Sequence, residues 1–290
     1  MVSLKDKTQP VLLAVLAHPD DETFGTGGTL ALYSRRGVKV YLVCATRGEV
    51  GEMDPSLLHG FASVGERREA ELRCAAKKLG LVEVFFLGYR DSGMPGSPDN
   101  ENPMALAATP VDKVASEVAQ YIQKLRPQVV LTFDPVGGYH HPDHIAIHKA
   151  TVKAFKDLRD QVVSQDSQGF QIFLPQKLYY STFSRTFLKV AVFILRLFGR
   201  DPRHFGVNKD IDMVSIAAIS FPISARIKYK AVAAIRDEAV ACHASQGGGG
   251  MNRGIQGWVT RLFRNDETYM RAYPEPQPGE SKETDLFAGI

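Results

Sequence analysis

The feature that most constrains this 290-residue chain is a run of seven apolar residues, Val11 to Ala17 (VLLAVLA), broken by His18-Pro19-Asp20-Asp21-Glu22. A strand without polar alternation has both faces buried, as a central strand does in a parallel sheet covered by helices. Its carboxyl end delivers one imidazole and three carboxylates within five residues. That end is where ligands bind in open α/β sheets.

The segments that follow repeat the pattern. Thr29 to Arg36 reads as a helix closed by Gly37, Val38 to Thr46 as a second strand, Glu66 to Leu79 as an amphipathic helix stopped by Gly80, and Val82 to Leu87 as a third strand. Pro110 to Leu125 predicts a helix with proline near its first turn, Gln128 to Phe133 a fourth strand, and His144 to Leu158 a further helix. Four strands alternating with helices over the first 160 residues imply an α/β fold: a Rossmann-like, doubly wound, mostly parallel sheet with helices on both faces. Beyond it lie a strand at Lys177 to Phe183, an apolar stretch at Phe187 to Phe198, an apolar run at Ile211 to Phe221 and a helix from Ile223 to His243. The segment after Tyr273 is rich in proline and charge and is expected to be an extended surface tail. No linker is visible. The expectation is one domain, with a core over residues 1–160, an elaborated C-terminal half over 161–273 and the tail over 274–290.

Composition removes several classes. With 44% hydrophobic and 23% charged residues the chain is neither disordered nor fibrous, and a scattered net charge of +3 offers no footprint for nucleic acid. Cys44, Cys74 and Cys242 lie far apart, which argues against a disulfide framework or a thiolate metal site and for a reducing compartment. Met1 to Pro10 lacks the apolar core of a secretory signal, so a cytoplasmic location is expected. The stretch from Phe187 to Phe198 is too short to span a bilayer and carries Lys189 and Arg196. It reads as a buried or oligomer-facing helix, in keeping with a homo-oligomer; a membrane-touching amphipathic element is the alternative.

Two polar clusters carry the chemistry. In the first, Gly25, Gly27 and Gly28 miss the GxGxxG spacing, and three preceding acids would repel a pyrophosphate. Three acids also exceed what capping a helix requires, so the cluster reads as a divalent cation site. The second cluster, Asp134 to His148, follows the fourth strand and holds four of the eight histidines within nine residues. In a sheet of order 3-2-1-4, strands one and four are neighbours, so the two turns would meet to complete one site. An open zinc site commonly takes two histidines and a carboxylate, and spacing leaves the third ligand among His140, His141, His144 and His148.

His18-Pro19-Asp20-Asp21-Glu22 joined to His141-Pro142-Asp143-His144 resembles the LmbE/PIG-L family of metal-dependent N-acetylglucosaminyl deacetylases. The likeness extends to Arg47-Gly48-Glu49, Arg68 with Glu71, Asp91-Ser92-Gly93-Met94 and His243-Ala244-Ser245-Gln246. It implies that His18, Asp21 and His144 bind one zinc, or another divalent cation, while Asp20 stays off the metal as the base. It further implies that His141, as an imidazolium, faces the substrate carbonyl and protonates the leaving amine, and that Arg47, Glu49, Arg68 and Asp91 recognise a glucosamine-type sugar. Glu22 and Asp143 fit as partners that orient ligating imidazoles. Without the family, Arg68 reads as a surface salt bridge to Glu66 or Glu71, and Asp91-Ser92-Gly93 as a plain turn. The expected activity is removal of an N-acetyl group from a glucosamine-containing small molecule. An amidase on a sugar-thiol conjugate and a non-catalytic metal-binding protein are the alternatives, and the spare groups at Asp20 and His141 favour catalysis.

Overall fold

The computed structural model describes residues 9–164, 172–182, 185–204, 212–248 and 266–290. Strand β1 (Val11–Leu16) is buried along its whole length and pairs in parallel with β2 (Lys39–Thr46) on one side. The next two strands, β3 (Glu83–Tyr89) and β4 (Val129–Phe133), pair in parallel with β2 and β1. Strand β5 (Lys177–Thr182) adds parallel to β4, and β6 (Ala225–Lys228) and β7 (Asp266–Tyr273) complete the sheet antiparallel, in the order β3-β2-β1-β4-β5-β7-β6. The first four strands therefore take the expected order.

Alternation along β1 divides the core in two. Leu12, Ala14 and Leu16 join one apolar cluster; Leu13, Val15 and Ala17 join the other. Near the end of β1, α1 (Asp21–Phe24) is one turn long and α2 (Gly27–Arg35) covers the first face together with α3 (Val64–Leu79). The opposite face is covered by α4 (Val111–Leu125) and, after the short α5 (Gly137–His140), by α6 (Pro142–Ser164). Helices α7 (Arg185–Leu197) and α8 (Met213–Ala218) enclose a small separate cluster, and α9 (Ala233–Cys242) returns to the first face. Gly28 lies so close to Tyr229 that a Cβ would sit 2.2 Å from its ring, which explains one glycine of the loop without any nucleotide.

Three expectations are corrected and one strand is added. The late helix begins at Ala233, not Ile223, because Ala225–Lys228 pairs with β7. Strand β7 itself has no continuous apolar run and is specified by its two neighbours, β5 and β6. The tail folds back onto the sheet: Leu286 is fully buried, its N–H donates to the Tyr33 hydroxyl at 2.5 Å, and Glu283 accepts from Lys177 at 2.6 Å and Arg271 at 2.7 Å. Cys74 and Cys242, 168 residues apart, form a disulfide that ties α3 to the end of α9, with Cα atoms 5.8 Å apart. The case for a reducing compartment rested on unpaired cysteines and loses that support. Ile211, Phe183 and the last two glycines of the run from Gly247 to Gly250 lie outside the described residues, as does the side chain of Phe187. Among the described residues no helix is long and apolar enough to cross a membrane.

Candidate metal and catalytic site

The parallel register of β1 and β4 sets the turns after both strands side by side. Nδ1 of His18 lies 3.1 Å from Nε2 of His144, and the Asp21 carboxylate reaches them at 3.6 and 3.3 Å. The other nitrogen of each ring is committed: Nε2 of His18 donates to Asp143 at 3.1 Å, and Nδ1 of His144 donates to the Gly137 carbonyl at 3.2 Å. The two remaining ring nitrogens are left facing each other and a carboxylate, a meeting that a shared cation satisfies, either a proton or a metal ion. Tetrahedral zinc with ligands at about 2.0–2.1 Å separates its ligand atoms by about 3.3 Å; the two ring nitrogens come near that spacing, and the Asp21 carboxylate turns Oδ2 toward His18 and Oδ1 toward His144. The residues fit the metal. Burial opposes charge on His18, yet Asp91, Asp143 and Asp21 outweigh it and hold its pKa well above the ordinary value. The same field favours a divalent cation. A ring nitrogen of His141 also lies within 4.8 Å of those of His18 and His144.

Asp20 stands beside this cluster and is held from three directions. Its carboxylate meets Arg68 at 3.1 Å, its N–H donates to Glu22 at 2.9 Å, and its φ of 129° is a conformation L-residues rarely adopt. Burial pushes its pKa up to about 6; Arg68 works against that rise and Asp21 adds to it. Arg68 faces inward, its guanidinium donating also to the carbonyls of Gly48 and Pro19 at 3.0 and 2.8 Å. Gly48, at φ +66°, leaves room for it, since a Cβ there would lie 2.2 Å from Arg68. The surface partner of Glu71 is the neighbouring Arg67, at 2.9 Å. Glu22 orients the Asp20 backbone and pairs with fully buried His243 at 2.7 Å, so it serves no ligating imidazole. Asp143 does, and it also accepts from the Ser92 N–H at 2.9 Å and the Ser92 hydroxyl.

His141 accepts the Asp143 N–H on Nδ1 at 3.2 Å, which places its own proton on Nε2. Burial, with His18 and His144 adding to it, pushes its pKa down to about 2. Burial and those two rings disfavour the charged form, while Nε2–H is left to donate. Asp91 accepts from Gly93 at 2.8 Å and lies 3.5 Å from His18; burial opposes its charge, but His18 holds its carboxyl well below the usual range. Glu49 accepts the Asp91 N–H at 3.2 Å, whereas Arg47 sits half-exposed at the rim, paired with Glu69 at 3.0 Å. His148 is fixed by the Phe133 carbonyl at 2.8 Å as a helix-face residue, and His140 is not among the residues that converge on His18, which are His141 with His144 and Asp91 with Asp143. Tyr139, whose ring meets His144 edge-on at 5.0 Å, was not legible as a site residue, because nothing in a lone tyrosine before a histidine pair marks it.

Fold and site together define a metal-type hydrolase centre at the carboxyl edge of a doubly wound sheet. Residues 13–155 match the PIG-L family, described as GlcNAc-PI de-N-acetylase. The chain is 36% identical over 289 residues to the 1D-myo-inositol 2-acetamido-2-deoxy-α-D-glucopyranoside deacetylase of Thermobifida fusca, covering 96% of this chain and 98% of that protein. It is likewise 36% identical over 299 residues to the protein of that name from Acidothermus cellulolyticus, covering 96% and 94%. The chain belongs to the PIG-L (LmbE) family of deacetylases. Among solved structures it resembles an N,N'-diacetylchitobiose deacetylase from Pyrococcus horikoshii, with a TM-score of 0.57, 18% identity and coverage of 91% and 84%. A 4-carboxy-2-hydroxymuconate hydratase from Pseudomonas putida is similar too, with a TM-score of 0.58, 19% identity and coverage of 93% and 98%. At such identities the likeness speaks for the fold alone, and the second case shows one scaffold carrying another reaction.

Proposed function

We propose that this protein hydrolyses the acetamide of an N-acetylglucosaminyl group joined to a polyol such as inositol, with one zinc ion held by His18, Asp21 and His144. The observation that carries the reading is the convergence of two imidazole lone pairs and a carboxylate beside a fourth group, Asp20, that is free of them. Zinc bound there supplies Lewis acidity, which polarises an amide carbonyl and makes water a stronger acid. Asp20, anchored by Arg68 and with a pKa near 6, accepts a proton from the attacking water and returns it to the departing amine. His141 donates its Nε2–H to the oxygen on which negative charge develops. In this scheme the proton for the amine comes from Asp20, whose raised pKa suits it to carry one. Asp91 and Glu49 offer acceptors for sugar hydroxyls, with Arg47 at the rim. Names of relatives that match nearly the whole chain support the inositol-linked sugar over a sugar-thiol conjugate.

The test measures free amine released from N-acetylglucosaminyl-inositol and from N-acetylglucosamine, with bound metal counted in parallel. Asp20→Asn is expected to lose at least about a thousandfold in kcat with metal near one per chain, at the upper end for a general base acting in two proton transfers. Asp21→Ala and His144→Ala are expected to lose the metal. An Asp20→Asn protein that turns over normally would refute the assignment of the base.

A further inference from the structure

Helix α7 carries a second apolar face that the fold leaves uncovered. Its inner side, Leu188 and Val192, packs on Ile216 and Ala217 of α8. Val190, Phe193, Ile194, Leu197 and Phe198 follow the spacing i, i+3, i+4, i+7, i+8 and form a continuous outer stripe. All are exposed, Phe193, Leu197 and Phe198 by 65%, 71% and 75%. Single exposed apolar side chains are ordinary on a soluble protein, but a contiguous stripe of this kind marks an interaction surface.

The charge around the stripe selects the partner. Arg185 to Arg200 contains four basic residues and no acidic one, and Lys189, Arg196 and Arg200 are exposed. Lys189 and Arg196 stand two helical turns apart along one flank. Among the described residues, the acids that follow α7 in the chain are engaged, Asp201 by His204 at 2.8 Å and Asp212 by the Val214 and Ser215 N–H groups at the start of α8. Between α7 and α8 an open cleft of about 330 Å³ sets Val192, Phe193, Val214 and Ala217 beside Lys189 and Arg196. An apolar floor next to two cations suits an amphiphile with an acyl chain and an anionic head.

We propose that α7 docks the protein on an anionic lipid surface, with Phe193, Ile194, Leu197 and Phe198 entering the acyl boundary and Lys189, Arg196 and Arg200 meeting the headgroups. A second copy of the chain suits the face less well, because two-fold pairing doubles the basic charge with no acid on the stripe to meet it. The inner side of the docking helix, opposite the docked face, is linked to the histidine cluster, since Tyr139 packs on the α7–α8 cluster and also lies against His144.

The experiment is flotation of the full chain with phosphatidylcholine vesicles, with and without phosphatidylglycerol. Binding is expected on the anionic vesicles, weaker on the neutral ones and weakened by salt. Lys189→Ala with Arg196→Ala should lower the partition constant about 30-fold, about fivefold per cation. Phe193→Ser and Phe198→Ser should each cost about tenfold or more. Circular dichroism and Tm, read alongside, show that these surface variants stay folded. Absence of binding, or equal binding by the native protein and the folded variants, overturns the proposal. So does a concentration-dependent dimer that Phe193→Ser abolishes while no vesicle is bound, which would assign the face to a second copy.

Discussion

Asp143 is the residue at which the electrostatics of the metal site is best separated from its shape. It is fully buried; Oδ2 accepts from the Ser92 N–H at 2.9 Å and His18 Nε2 at 3.1 Å, and Oδ1 accepts from the Ser92 hydroxyl. In Asp143→Asn the amide oxygen can keep both N–H partners, and the Ser92 hydroxyl can rotate to accept from the new NH2. Geometry is preserved and the charge is lost. The bond to His18 then falls from the charged class of about 1.5–3 kcal/mol to the neutral class of about 0.5–1.5 kcal/mol. A difference of about 1.4 kcal/mol is tenfold, so Asp143→Asn should bind zinc about tenfold more weakly. Asp143→Ala instead strands two buried N–H donors and frees the His18 ring to take the other tautomer. It should lose about a hundredfold in metal affinity and lower Tm as well. Competition of the apo protein with a chromophoric chelator measures both affinities. If Asp143→Asn binds within about twofold of the native protein, the reasoning that its charge fixes His18 is refuted; if the two variants bind alike, the separation of charge from shape fails.

Two further outcomes follow from the same contacts. His243 has its pKa raised above its ordinary value, because Glu22 and Asp20 outweigh the burial that opposes its charge. Its contribution to stability is therefore complete below the unfolded value of about 6.5 and is lost as pH rises through the higher folded value; urea unfolding across that window should show His243→Gln flattening the slope, and parallel curves would sink the idea. Leu286→Ala should cost about 3 kcal/mol, as for other fully buried leucines, and a loss under about 0.5 kcal/mol would mean that the tail does not hold to the core.

The signals that were readable in the chain are local. A buried strand is visible as VLLAVLA, the alternation of helix and strand as a change of period, and the metal turns as clusters of histidine and carboxylate at strand ends. Sheet order followed from the doubly wound arrangement that such alternation implies. Arg68 shows where this stops: it lies on a helix whose pattern permits a surface ion pair, and only the packing of α3 over the Gly48 turn decides that it reaches Asp20. The setting of His141 is another case, since it depends on burial and on which nitrogen the Asp143 N–H occupies.

By itself, then, the sequence determined the α/β class and the two turns that bear the proposed metal ligands, because each is written in residues close together in the chain, and the repeated alternation of strand and helix implied the order of the first four strands. The tertiary structure alone decided the pairing of Cys74 with Cys242, the antiparallel edge of β6 and β7, the return of the tail through Leu286 and the support of Asp20 by Glu22 and His243. Those contacts join positions up to 253 residues apart. No local period or spacing encodes such a meeting; it exists only once the core has closed and fixed which surfaces face each other.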